Sequence, residues 1–396
     1  MEKSQPSMTP VLLVTLAHTA LDFYMVIIPS LYAIFKDHFG LTVFQISFLP
    51  AFVTVFGSIS QPLMGTFTDH RNRFAWAGLG LLISGVFVSS IGFAPTVYTL
   101  AILLVGASLG SSLFHPTAGG LVTSLVPGRS NLTMAIFLTG GTTGMALAPL
   151  ASTQIVDRWG LENMWMIIPF CLPVSATLFW ISRKHRTAPS STPGKRFDWR
   201  SLRKPETRPL WTLYSVSVLR SFIHASFISF TALLGASWGW EITQFGWVLS
   251  GYLVCSTLGR MAGGYLADRV SATRLLAFSA STSGVFHIAF CLVSSDYGIG
   301  LFWVAGFLFD LGATTVIVLA QRILPGNTST ATGMMMGFSW GTAGLFIPLV
   351  GAYAEATTIA TALLVVSFVL FPAALLVLLL PDYDSHRQGA EPAATA

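Results

Sequence analysis

Charge is what this chain lacks most. Only 9% of its 396 residues are Asp, Glu, Lys or Arg, against 53% hydrophobic, and the mean hydropathy is +0.69. That is roughly a third of the charged fraction of a soluble domain, too little to keep a folded surface wet, so a soluble enzyme and a disordered protein are both excluded. Cysteine is equally scarce. Cys171, Cys255 and Cys291 lie in apolar runs without paired spacing, which excludes a disulfide scaffold and a cysteine zinc site. Ten-residue segments of alternating polarity, the mark of a membrane β-barrel, are missing. So are a Gly-x-x-x-x-Gly-Lys-Ser/Thr run and a His-Glu-x-x-His pair, so neither ATP-driven work, a catalytic metal nor any other cofactor is expected, and the chain reads as no enzyme.

What is there is a series of long apolar runs. A hydrocarbon core of about 30 Å takes roughly 20 residues per helix. Gly, Pro and charge punctuation divides the sequence into twelve spans, numbered 1 to 12 in order, at 10–35, 43–67, 74–94, 97–123, 131–155, 162–182, 210–236, 243–267, 273–294, 298–321, 330–353 and 358–380. The expected fold is an all-α membrane protein of twelve transmembrane helices. The first run has no small-residue cleavage site and reads as a retained span, not a signal peptide.

The net charge of +5 reports topology and not nucleic acid. With the amino terminus inside, 17 of the 21 Lys and Arg fall in cytoplasmic segments, only Lys36 and Arg158 fall outside, and Arg220 and Arg260 lie within spans. Both termini are therefore expected in the cytoplasm of a bacterial inner membrane. The densest basic run, Arg183 through Arg208, also holds Pro, Ser and Thr and separates six spans from six. The expected division is an N-terminal half at 1–182, a basic cytoplasmic linker at 183–209, a C-terminal half at 210–381 and a cytoplasmic tail at 382–396.

The two halves repeat each other at an offset of about 199 residues. Gly65-Thr66-Phe67-Thr68-Asp69 falls on Gly264-Tyr265-Leu266-Ala267-Asp268, Leu125-Val126-Pro127-Gly128 on Ile323-Leu324-Pro325-Gly326, and Gly141-Thr142-Thr143-Gly144 on Gly341-Thr342-Ala343-Gly344. Parallel repeats of six spans are the build of a secondary transporter whose site lies at the midplane. The loop carrying Gly65, Asp69 and Arg73 resembles the signature between helices 2 and 3 of the major facilitator superfamily. Within it the chain is similar to the fosmidomycin-resistance type of exporter, through Ala17-His18-Thr19-Ala20-Leu21-Asp22, Leu41-Thr42-Val43-Phe44-Gln45-Ile46, Phe114-His115-Pro116 and Leu324-Pro325-Gly326. The resemblance implies proton-driven antiport of a small molecule out of the cytoplasm.

Ionisable side chains inside a bilayer are costly and normally face a cavity or a partner. Span 1 carries His18 and Asp22 at i and i+4, and span 7 carries Arg220 and His224 with the same spacing, all about halfway through by a rise of roughly 1.5 Å per residue. Asp310 computes to mid-depth in span 10. Burial favours a neutral carboxyl and a nearby cation a charged one, so Asp22 and Asp310 are the candidates for proton coupling. Arg220 offers a two-point grip for a carboxylate, phosphonate or phosphate, with Asp22 or Asp310 as its expected partner when no substrate is bound. His18, His115, Arg220, His224 and Asp310 form the candidate substrate set; His287 reads as core. Arg260 near the cytoplasmic mouth, with Asp69, Arg73 and Asp268, is the candidate gate. Pro116 is expected to kink span 4 beside His115. The Gly-rich stripes through Gly140 and Gly144, and through Gly333, Gly337 and Gly341, read as close-packing faces.

The first functional reading is proton-coupled export of a small anionic or amphipathic compound by a monomer in a lipid bilayer, with protons and the small molecule as its partners. Transport of a metal ion or metal complex through the membrane His and Asp residues is the alternative, weakened by Arg220. A membrane partner or receptor that transports nothing is the other, and it would not need ionisable groups at mid-depth in both halves.

Overall fold

A backbone in hydrocarbon must satisfy its own N–H and C=O groups, and a helix does this within one segment. The computed structural model describes residues 8–68, 71–126, 130–184, 207–267, 269–293, 296–324 and 328–380, and among them every one of the twelve spans is helical and no strand occurs. Among the described residues ten helical stretches are long and apolar enough to cross a membrane, and Val43–Ile59 is a shorter apolar piece. Span 1 is the helix Thr9–Ser30 followed after Leu31 by the short helix Tyr32–His38, and spans 4 and 7 are single helices, Val97–Leu125 and Arg208–Ser237. So are span 5, Ser130–Trp159, and span 8, Ile242–Ala267. Span 4 runs on through Pro116, so the expected kink does not break its helix. Span 10 is interrupted: Asp296–Asp310 stops, and Ala313–Ile323 begins after Gly312. Residues 185–206 of the expected linker, residue 381 and the expected tail 382–396 lie outside the described residues, as do Asp69 and Asp268.

Contacts group the chain into two units. One comprises Met1–Pro193 with Ile228–Gly251 and Ile347–Glu355, and the other Gly194–Phe227, Tyr252–Phe346 and Ala356–Ala396.

In the first unit, span 5 lies against span 1 through its glycines. A Cβ on Gly144 would collide with the Thr19 carbonyl, and one on Gly140 would stand 2.8 Å from the Thr15 carbonyl. Spans 3 and 4 meet at Gly80 and Gly110, where Ser84 Oγ donates to the Ala107 carbonyl at 2.8 Å. The motif around Thr42 is a helix start: the Thr42 side chain accepts from Gln45 N–H at 3.2 Å, Gln45 Oε1 accepts from Thr42 N–H at 3.0 Å, and Glu355 takes the next free donor, Phe44 N–H, at 2.8 Å.

The second unit repeats the device of the first. Ser283 Oγ donates to the Ala305 carbonyl at 2.9 Å. Ser84 and Ser283 are separated by the repeat offset, so one hydroxyl makes the same helix-to-helix bond in each unit. Gly259 and Gly263 of span 8 face the Phe307 and Leu311 carbonyls of span 10 so closely that a Cβ on either would collide. That approach sets the geometry of the charges on both spans.

Candidate functional site

Among the described residues, each unit holds a buried cluster of ionisable side chains. In the first, the helical spacing of His18 and Asp22 brings His18 Nε2 to 3.2 Å from Asp22 Oδ2, and His115 of span 4 places its Nε2 3.2 Å from Asp22 Oδ1. His18 is 4% exposed overall, and the side chains of Asp22 and His115 are 14% and 30% exposed, so His115 is the open edge of the group. His18 is clamped between rings, stacked on Phe137 at 3.9 Å between centroids and beside Phe114 at 6.0 Å. Gly141 backs the cluster, since a Cβ there would stand 2.5 Å from His18 Cε1 and 2.6 Å from Asp22 Oδ2.

The backbone fixes which way these rings point. His18 Nδ1 lies 2.8 Å from the Phe137 carbonyl, which can only accept, so Nδ1 carries the proton. In a neutral ring Nε2 is then a lone pair facing a carboxylate oxygen. His115 Nδ1 donates in the same way to the Ser111 carbonyl at 3.0 Å, with the Ser111 hydroxyl at 3.2 Å. Two acceptor nitrogens thus converge on one carboxylate, an arrangement that requires a cation, whether proton or metal, between them. The Phe137 carbonyl carries no side-chain signal and went unread in the sequence; its trace is the pair Gly140-Gly141, which lets span 5 close on span 1.

The second unit gathers Arg220, His224, Arg260 and Asp310. Arg260 Nη2 donates to Asp310 Oδ2 at 2.6 Å, and Asp310 is 3% exposed. The pairing expected for Asp310 with Arg220 is therefore made by Arg260 instead, because Gly259 and Gly263 bring span 8 against span 10. Arg220 donates to the Phe309 carbonyl and lies 4.3 Å above the centroid of the Phe309 ring. The break in span 10 after Asp310 frees that carbonyl, which also accepts from Ser279 Oγ at 2.9 Å. His224 stacks on Phe309 at 5.6 Å and meets Trp340 edge-on at 5.2 Å. Arg220 Nη1, His224 Nδ1 and Arg260 Nε are buried without a hydrogen-bond partner among the described residues. The cluster holds two guanidinium groups and one carboxylate, which pairs with Arg260, and unused polar atoms surround them. Such a cluster has one positive charge to spare for an anion.

Of the gate candidates, Arg73 donates from Nη1 to the Gly120 carbonyl at 3.1 Å, Arg260 is in the ion pair just described, and Asp69 and Asp268 lie outside the described residues. His287 is wholly buried against Phe227, with ring centroids 4.4 Å apart, and its Nδ1 lies 2.9 Å from the Ser283 carbonyl.

Membrane-crossing helices in repeated sets, each with ionisable groups buried inside its spans, define a multi-pass transporter and not an enzyme. The chain belongs to the Major Facilitator Superfamily, whose sequence model matches residues 12–237 and 213–396. It is 26% identical over 354 residues to the fosmidomycin resistance protein of Escherichia coli (strain K12), which covers 87% of this chain and 86% of that one. An MFS-type transporter of Bacillus subtilis (strain 168), YfnC, is 23% identical over 412 residues, with 98% and 96% covered. Multidrug resistance protein MdtG of Yersinia enterocolitica serotype O:8 / biotype 1B is 23% identical over 310 residues, with 75% and 71% covered. A crystal structure of a bacterial homologue of the human lysosomal transporter Spinster, inward-facing and unoccupied, superposes with a TM-score of 0.75 over 93% of this chain and 96% of that one at 17% identity, which shows a shared fold. The expected all-helical transporter fold and the resemblance to resistance-type exporters both hold.

Proposed function

We propose that the protein exports a small anionic or amphipathic compound from the cytoplasm in exchange for protons, by alternating access across the bacterial inner membrane. Relatives named for resistance to fosmidomycin and to multiple drugs support the direction. The observation that carries the reading is the second unit's cluster, in which Arg260 takes Asp310, Arg220 is left with a backbone carbonyl, and Arg220 Nη1 and His224 Nδ1 have no partner among the described residues. An oxyanion fills that deficit by accepting from Arg220, and the half-buried Trp340, edge-on to His224, supplies a ring surface for an amphipathic body.

Proton coupling falls to Asp22, where His18 and His115 hold a proton against the carboxylate, and to Asp310, whose partner Arg260 is drawn toward an arriving anion. A carboxylate that loses its cation to the substrate then binds a proton in its place. His18 and His115 complete the substrate set from the first unit. Arg73, Arg260, Asp69 and Asp268 act as the charged gate. Protons and the small molecule are the partners of a chain that works as a monomer, with both termini in the cytoplasm. A thermal-shift screen of the purified protein against small phosphonates, organic acids and cationic drugs tests the anion reading, because a ligand of the native state raises the melting temperature by mass action. Phosphonates or carboxylates are expected to stabilise, and stabilisation by cations alone overturns the reading.

A further inference from the structure

The His18, Asp22 and His115 cluster has a geometry that a transported anion does not explain. Its three donor atoms, two imidazole nitrogens and a carboxylate oxygen, all lie within 4.8 Å of one another. Both contacts to Asp22 measure 3.2 Å. Ligands at about 2.0 to 2.1 Å from a tetrahedral metal stand about 3.3 Å apart, and each imidazole nitrogen already stands at that distance from one Asp22 oxygen, His18 Nε2 from Oδ2 and His115 Nε2 from Oδ1. We propose that they form a three-ligand site for one divalent transition-metal cation of borderline softness, with the fourth position left to water.

Three further observations point the same way. First, each imidazole places its Nδ1 on a backbone carbonyl, at Phe137 and at Ser111. That outer bond fixes the ring of a metal-bound histidine and leaves Nε2 free to ligate. Second, one doubly charged cation satisfies both acceptor-to-acceptor contacts at once, where protons would need one for each. Third, Gly141 keeps span 5 from filling the space beside Asp22 Oδ2 and His18 Nε2, and His115 is open enough at 30% side-chain exposure to admit an ion and its water. Two nitrogen donors and one carboxylate suit Zn2+ and its neighbours, and they do not suit Mg2+ or Ca2+, which prefer an all-oxygen shell. The metal and the coupling proton would occupy the same lone pairs in turn, each excluding the other while bound; metal binding at equilibrium needs no gradient and no transported substrate, so it is tested apart from the export reading.

The test uses the full chain, purified in detergent with any histidine tag removed, and ZnCl2 as the probe. Calorimetric titration is expected to show one saturable site that Mg2+ does not occupy. X-ray absorption at the zinc edge is expected to show two imidazole nitrogens with oxygen ligands at about 2.0 to 2.2 Å. Asp22→Asn, His18→Gln and His115→Gln should each weaken Zn2+ by tenfold or more, while His38→Gln, at the exposed end of the short helix Tyr32–His38, should leave it unchanged. The absorption spectrum of the unaltered protein decides the matter even if a variant fails to fold. Absence of saturable binding, a shell without two imidazoles, or undiminished affinity in the folded Asp22→Asn protein would overturn the proposal.

Discussion

At the scale of the residue, the two clusters differ in what holds their charges. Asp22 faces two histidines whose outer nitrogens are committed to backbone carbonyls, whereas Asp310 is held by a guanidinium that reaches it because Gly259 and Gly263 let span 8 approach. Arg220 is the group with capacity left over. Arg220→Lys keeps the charge and loses the planar second donor, so affinity for an anionic ligand found by screening should fall by roughly 1 to 3 kcal/mol, the worth of a charge-assisted bond. Calorimetry checks this, and unchanged affinity would make Arg220 a structural counter-ion. The sequence made part of this legible. The i, i+4 spacing of His18 with Asp22 is local and was readable, and so was the burial of Arg220, His224 and Asp310. Neither the arrival of His115 at Asp22 nor the choice of Arg260 by Asp310 was readable, because each depends on how close two distant helices come. The carbonyls of Phe137 and Phe309, which orient His18 and take up Arg220, belong to a backbone that every sequence shares.

At the scale of the element, glycine decides which helices touch. The stripe through Gly140 and Gly144 read as a packing face and is one, with span 5 seated on Thr15 and Thr19 of span 1. The other stripe behaves differently at its start, since a Cβ on Gly333 would meet nothing within 4 Å. Spacing alone cannot separate the two, because both have small residues at every fourth position. The structure gives them opposite mutational outcomes. Gly144→Ala drives a methyl into the Thr19 carbonyl and should destabilise by about 1 to 3 kcal/mol, the usual cost of overpacking. Gly333→Ala should leave the melting temperature unchanged or raise it, because alanine loses less backbone entropy than glycine in a helix. Thermal unfolding of the two variants side by side checks the pair. The Thr42 motif shows the same limit of reading: its residues were recognisable as a signature, and the hydrogen bonds that make it a helix start, with Glu355 completing the set of acceptors, appear only in the folded chain.

At the scale of the whole molecule, the apolar runs and the repeat carried the fold, and the interruptions within spans 1, 2, 6, 10, 11 and 12 escaped them because short breaks leave mean hydropathy almost unchanged. The proposed orientation rests on 17 basic residues against two. A cysteine placed at Ser191, in a stretch outside the described residues, should stay unlabelled by an impermeant reagent added to intact cells. Labelling there would invert the topology. The central claim is that export is paid for by protons passing through Asp22. Its most direct test is flux in proteoliposomes with an imposed pH gradient and a ligand found by screening, comparing the parent protein with Asp22→Asn, which holds the neutral form at nearly constant shape. The parent protein should move the ligand uphill against the proton flow, and Asp22→Asn should lose that movement while still exchanging ligand for ligand; gradient-driven flux that survives in Asp22→Asn would contradict the account.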